Sequence, residues 1–224
     1  MTSTLAKDTL ATQLYNDLLA QIVLGKLTIG SRINARRLQQ VFNTSATPVR
    51  EALGRLVSEG LVEYETNLGY RVVRFSQRDV REINDILALT DCHAIELAMK
   101  SPSIDRLISE LKTTVDNQQA AYDRGDEALY RKSTEYFHDV FYLYADNHQL
   151  TALSRKYNYR MKLMAGLYES HENRRISLRE HALIYHAVKD RDADTAMRYM
   201  RQHIFETCDA LIDQYRTLFS EDSN

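Results

Sequence analysis

The sequence predicts a mostly α-helical protein in two domains, residues 1–76 and 77–224, and three observations predict it. Two prolines and seven glycines are few for a chain of 224 residues rich in β-turns. Apolar residues recur three and four apart over most of the chain, the period of an amphipathic helix. One stretch departs from that period: LVEYE and YRVVRF, either side of Thr66-Asn67-Leu68-Gly69, are β-branched and aromatic and read as a hairpin.

Composition narrows the class further. A hydrophobic content of 44% and a charged content of 27% describe an ordinary globular chain, long enough for two cores. No apolar run approaches the roughly 20 residues that span a bilayer, so no membrane partner is expected. The opening MTSTLAKDTL has no export-signal core, which predicts a cytoplasmic protein with Cys92 and Cys208 reduced. Charge divides unevenly: residues 1–75 carry nine Lys+Arg against six Asp+Glu, the remainder 20 against 25. A mildly basic head suits a polyanionic partner.

The first helix is predicted over DTLATQLYNDLLAQIVLGKL, with Leu10, Leu14, Leu18 and Ile22 on one face, Asp8 or Thr9 as its cap and Gly25 at its end. After the connector TIGSRI, Asn34 caps a two-turn helix, ARRLQQVF, expected to bury Leu38, Val41 and Phe42. NTSA makes a tight turn. Thr47 is then read as the cap of a third helix and Pro48 as its first residue, a position that gives up no hydrogen bond. Val49, Leu53, Leu56 and Val57 form its apolar stripe, with Thr47, Arg50, Glu51 and Gly54 on another face. Three helices and a hairpin in this order make a winged helix-turn-helix.

Such a unit fits duplex DNA, because a helix enters the major groove with its N-terminal side chains towards base edges. Arg50 can reach a guanine edge or a phosphate. Thr44, Ser45 and Thr47 can offer hydroxyls and backbone N–H groups to phosphates, and Arg36 and Arg37 add charge. Gly69 tips the wing, with Arg71 and Arg74 nearby. The alternative is a small helical subdomain with solvated arginines; element order, turn length and the TPVREAL start favour DNA.

Beyond Ser76, six helices are predicted at about 77–100, 103–124, 126–145, 148–170, 176–190 and 192–217, with a break at Glu172-Asn173-Arg174. Short connections make them antiparallel neighbours in an all-α bundle. His138, His181 and His203 each flank an apolar stripe, so all three can point to the bundle centre. They read either as packed, hydrogen-bonded core histidines or as ligands for zinc or a similar divalent ion. A hydrolytic site, with Glu135 or Glu180 as general base, is the enzyme alternative. No HExxH, nucleophile elbow or phosphate loop accompanies it.

The segment GSRINARRLQQVFNTSATPVREALGRLVSEGLVEYETNLGYRVV resembles the DNA-binding domain of the GntR superfamily of bacterial transcription regulators. The resemblance implies operator contacts from Arg36, Thr47, Arg50 and the wing Gly69. It departs where Ala35 replaces a usual glutamate and Ala46 a usual arginine, which implies similar docking on a different operator. The remainder is similar to the FadR C-terminal (FCD) effector domain: FH…N…L, EH..I..A and M..H recur as Phe137-His138, Asn147, Glu180-His181…Ile184…Ala187 and Met200…His203. This implies one divalent metal ion on His138, His181 and His203, with Thr134 where relatives place an aspartate ligand. Cys92 stands where many relatives have an arginine, so a small carboxylate effector would need another cation, Arg160 or Lys162 or the metal. The expected pocket residues are Thr134, Glu135, Tyr136, Arg160 and Tyr185. By resemblance the protein is a homodimeric repressor, not an enzyme, released from a palindromic operator by a metabolite.

Overall fold

Thr9 starts the first helix: its side-chain oxygen accepts from the Thr12 N–H, satisfying one of the donors that every helix start leaves free. In the computed structural model, which describes residues 9–165 and 170–219, the elements follow as α1 (Leu10–Val23), β1 (Arg32–Ile33), α2 (Ala35–Val41), α3 (Ala46–Ser58), β2 (Val62–Glu65) and β3 (Gly69–Val72). Next come α4 (Gln77–Ala98), α5 (Ile104–Arg124), α6 (Glu127–Ala145), α7 (His148–Ala165), α8 (His171–Lys189) and α9 (Ala193–Phe219). The chain divides into two compact units, Met1–Ser76 with Tyr159–Gly166 and Gln77–Asn158 with Leu167–Asn224. No helix among the described residues is long and apolar enough to cross a membrane.

In the first unit α1 and α2 pack on α3. Leu14, Leu18 and Ile22 meet the stripe of Val49, Leu53 and Leu56, all fully buried; each such side chain contributes about 1.5–3 kcal/mol. Leu10 and Val57, read as part of those stripes, lie at their exposed edges. A polar clasp adds to this packing: the Tyr15 hydroxyl donates to the Glu59 carboxylate at 2.8 Å, and Arg55 lies 3.8 Å from the Tyr15 ring centre. Asn34 caps α2 through the Arg37 N–H, as expected. The short α2 rests on α3 along one edge only, so Leu38 and Phe42 are half-buried and Val41 is 67% exposed, contrary to the sequence reading.

Two further corrections concern local structure. The third helix begins at Ala46 with Ser45 as its N-cap, so Thr47 and Pro48 sit inside the first turn. Proline is tolerated there because the first-turn N–H groups lack intrahelical acceptors anyway. The wing is also larger than a hairpin. Arg32–Ile33, within the predicted connector, pairs antiparallel with β3 to give the strand order β1-β3-β2. Two residues are too few to show an alternating pattern in sequence.

In the second unit five helices close a ring, α4 on α6, α6 on α5, α5 on α8, α8 on α9 and α9 on α4. Gly125, in the left-handed conformation (φ +67°), ends α5, and Asp126 caps α6 through the Leu129 N–H. Asp146 closes α6, also left-handed. The predicted break at Glu172-Asn173-Arg174 is instead the first turn of α8. Ser170, read as the end of the preceding helix, is extended and caps α8 through the Asn173 N–H at 3.1 Å. A serine cap followed by charged residues looks like a loop in sequence because its apolar stripe begins only at Leu178. The predicted helix over 166–169 lies outside the described residues.

Candidate nucleic-acid interface and metal centre

The face of α3 opposite its core stripe presents Thr47, Arg50, Glu51 and Gly54, all exposed. Ser45 makes no side-chain capping hydrogen bond, so the positive end of α3 keeps its donors for an external acceptor. Thr44 precedes it, half-buried after the left-handed Asn43. Arg36 and Arg37 are exposed on α2, and among the described residues no carboxylate pairs with them or with Arg50. Arg71 differs. On β3 its guanidinium bonds Glu65 at 2.8 Å and approaches Glu63 at 3.5 Å, bracing the strands of the wing. Gly69 opens β3 at φ +83°, which a side chain would strain.

In the second unit the ring helices converge on the three histidines. His138 (α6), His181 (α8) and His203 (α9) each offer a nitrogen within 4.8 Å of the others. Every Nδ1 is held from outside the cluster. His138 Nδ1 lies 2.8 Å from Asp91 (α4), His203 Nδ1 2.7 Å from Glu180 (α8), and His181 Nδ1 2.9 Å from Gln118 (α5). All five ring helices therefore supply a side chain. Asp91 is itself buried and accepts a second hydrogen bond from the Tyr142 hydroxyl, and Phe137 stacks on His181 with centroids 4.0 Å apart.

This pattern determines the chemistry. A carboxylate only accepts, so Nδ1 carries the proton in neutral His138 and His203, and Nε2 presents a lone pair. Burial, reinforced by His203 and His138, holds His181 well below the usual imidazole range. Burial and His138 likewise push His203 down to about 3. Both rings are neutral near pH 7, the form that binds metals. His181 Nε2 and His203 Nε2 are 3.3 Å apart. Two nitrogens bonded at about 2.0–2.1 Å to one tetrahedral ion are separated by about that distance. The donor set fits a divalent cation, with Asp91 and Glu180 as the outer partners that fix the rings.

Not every predicted pocket residue joins this cluster. Thr134 does, by bonding Gln118 at 2.7 Å, and Glu135 is its half-buried neighbour. Tyr136 instead donates to Glu110 on α5 and lines an outward groove of about 550 Å³ with Arg106, Lys132 and Tyr144. Arg160 belongs to the first unit, its guanidinium 5.3 Å from the Phe75 ring. Tyr185 is buried on α8, and half-buried Lys162 lies 5.8 Å from the Tyr159 ring. Cys92 is buried with its thiol 3.4 Å from the Met197 carbonyl, and burial raises its pKa, so it is held as a packing thiol. Sequence reasoning missed Asp91 and Gln118. Each is a polar residue within an apolar stripe, Asp91 among Ala88 and Ile95 and Gln118 among Leu111 and Ala121, and that mismatch was the available signal.

Comparison with known proteins gives consistent results. Residues 10–72 match the family model described as "Bacterial regulatory proteins, gntR family", and residues 82–206 match the FCD domain. The chain is 26% identical over 200 residues, 89% of each chain, to the uncharacterized HTH-type transcriptional regulator YdhC of Bacillus subtilis (strain 168). It is 33% identical over 117 residues, 52% of each chain, to the HTH-type transcriptional regulator McbR of Escherichia coli (strain K12). A solved structure of E. coli McbR/YncC superposes with a TM-score of 0.77 at 26% identity, covering 93% of this chain and 100% of that one. A gluconate operon transcriptional repressor of Bacillus licheniformis is 21% identical over 193 residues, 84% of this chain and 79% of that one.

Proposed function

The chain belongs to the GntR family of bacterial regulatory proteins and carries an FCD domain, and from this premise we propose that it is a cytoplasmic, homodimeric, metal-containing repressor released from a palindromic operator by a small carboxylate. The observation that carries the reading is the face of α3: Thr47 and Arg50 stand clear of the core, beside a helix start with no side-chain cap. A DNA phosphate supplies the missing acceptor there, favoured by the helix dipole. Arg50, at the groove-facing end of α3, reads a base edge or a second phosphate. Arg36 and Arg37 add phosphate contacts from α2, Thr44 and Ser45 contribute hydroxyls, and Gly69 and Arg71 form the wing. Two copies on a two-fold site double each contact and fix the spacing of the half-sites.

His138, His181 and His203 would hold one zinc or similar ion, which supplies a Lewis-acidic position for an anionic effector. Thr134, Glu135 and Tyr185 lie on the same helices, α6 and α8, as two of these ligands. An effector acts only through its different affinities for the DNA-competent and incompetent states. Repression follows the names of relatives such as the gluconate operon repressor. The enzyme alternative is not supported: Glu180, one of its two candidate bases, already accepts from His203 Nδ1. A gel shift with DNA from upstream of the protein's own locus, with zinc and with a panel of small carboxylates, tests the reading. A specific complex that zinc-loaded protein releases on adding one carboxylate is expected; no specific shift under any condition would refute it.

A further inference from the structure

His181 differs from its two companions in what holds its Nδ1. His138 and His203 face carboxylates, which force a proton onto Nδ1, whereas His181 faces the side-chain amide of Gln118, which can present either an oxygen or an NH2 group. The surrounding bonds remove that freedom. The Thr134 hydroxyl lies 3.0 Å from the Tyr130 backbone carbonyl, and a carbonyl only accepts, so the hydroxyl proton is committed there. Its oxygen then faces the Gln118 amide 2.7 Å away with no proton to offer, so that end of the amide must be NH2. The Tyr130 phenol offers the amide no proton either, because it donates to the Arg174 carbonyl at 2.7 Å. With its NH2 group fixed on the Thr134 oxygen, Gln118 turns Oε1 to His181 Nδ1 at 2.9 Å.

We propose that Thr134 and Gln118, anchored on the Tyr130 backbone carbonyl, form a directional hydrogen-bond relay that holds His181 as its Nδ1–H tautomer and thereby turns its Nε2 lone pair towards His203. They are positioning residues. Thr134 sets the state of a neighbouring ligand through Gln118. Gln118 is fully buried, so no water competes for the amide. The consequence is a cluster of three inward lone pairs, two of them 3.3 Å apart, an arrangement that a cation relieves. That last step rests on the metal reading proposed above; the tautomer does not.

The test uses the full-length protein. Long-range ¹H–¹⁵N correlation in metal-free protein reports the tautomer of each buried histidine, and titration with zinc alone reports affinity. Wild type is expected to show His181 with the proton on Nδ1. Thr134→Val frees the amide to rotate, so an Nε2–H population should appear and zinc affinity should fall about tenfold or more. Thr134→Ser, which restores a hydroxyl, should behave as wild type. A wild-type His181 protonated on Nε2, or a folded Thr134→Val variant with an unchanged tautomer, overturns the relay. An Nδ1–H His181 in a protein that binds no zinc supports the relay while removing the metal reading.

Discussion

Replacing Arg50 by alanine is expected to separate DNA reading from folding, because among the described residues no hydrogen bond or ion pair holds this side chain. Arg50 is exposed, and no carboxylate among the described residues pairs with it. Its removal should leave stability within about 0.5 kcal/mol, the usual range for such surface changes. The proposed dimer on a two-fold operator would lose the side chain twice. If the guanidinium meets phosphate, the slope of log K against log salt falls by about 0.9 per contact, or about 1.8 per dimer. If it meets a guanine edge, the loss is about 1–3 kcal/mol per half-site, roughly 30-fold to 3 × 10⁴-fold for the pair. Fluorescence anisotropy with upstream DNA at three salt concentrations distinguishes the two cases. Arg71→Ala is the internal control. Its charge is already opposed by Glu63 and Glu65, so its slope change should be under half that of Arg50→Ala, while the wing loses its brace. A folded Arg50→Ala protein with wild-type affinity and wild-type salt slope would refute the argument.

Three further expectations follow from the same geometry. Leu53→Ala removes a fully buried side chain from the α1–α3 contact and should cost about 2–5 kcal/mol, read as a lower urea midpoint. Zinc at about 100 times its dissociation constant should stabilise wild type by about 2.7 kcal/mol in a thermal melt, and His203→Ala should abolish the shift. The metal-free protein should lose stability as pH falls below about 6.5. Unfolded histidines bind protons there, whereas His181 and His203 are held below that range, His203 at about 3, so acid favours the unfolded state. The slope should approach about 1.4 kcal/mol per pH unit for each histidine, and urea midpoints at pH 7.5, 6.0 and 5.0 for wild type and His203→Gln measure it. Identical pH profiles for the two proteins would show that His203 is not a buried neutral group.

Local patterns carried most of the fold. The Leu14-Leu18-Ile22 and Val49-Leu53-Leu56 stripes, the Asn34 cap and the Gly125 terminus are each encoded within a few residues, because helix period and end capping are short-range effects. Errors arose where an element was too short or its start too polar to show a period, as at Arg32–Ile33 and in the first turn of α8. The three histidines could be placed on inward faces from sequence, since each flanks an apolar stripe. Their outer partners could not be, because Asp91, Gln118 and Glu180 reach them across helices and are joined only by packing. Sequence alone therefore determined that the three histidines point inward. The tertiary ring of helices decided which of them meet, and with that which nitrogen of each imidazole keeps its proton, since a tautomer is selected by the atom opposite it in space and not by any neighbour along the chain.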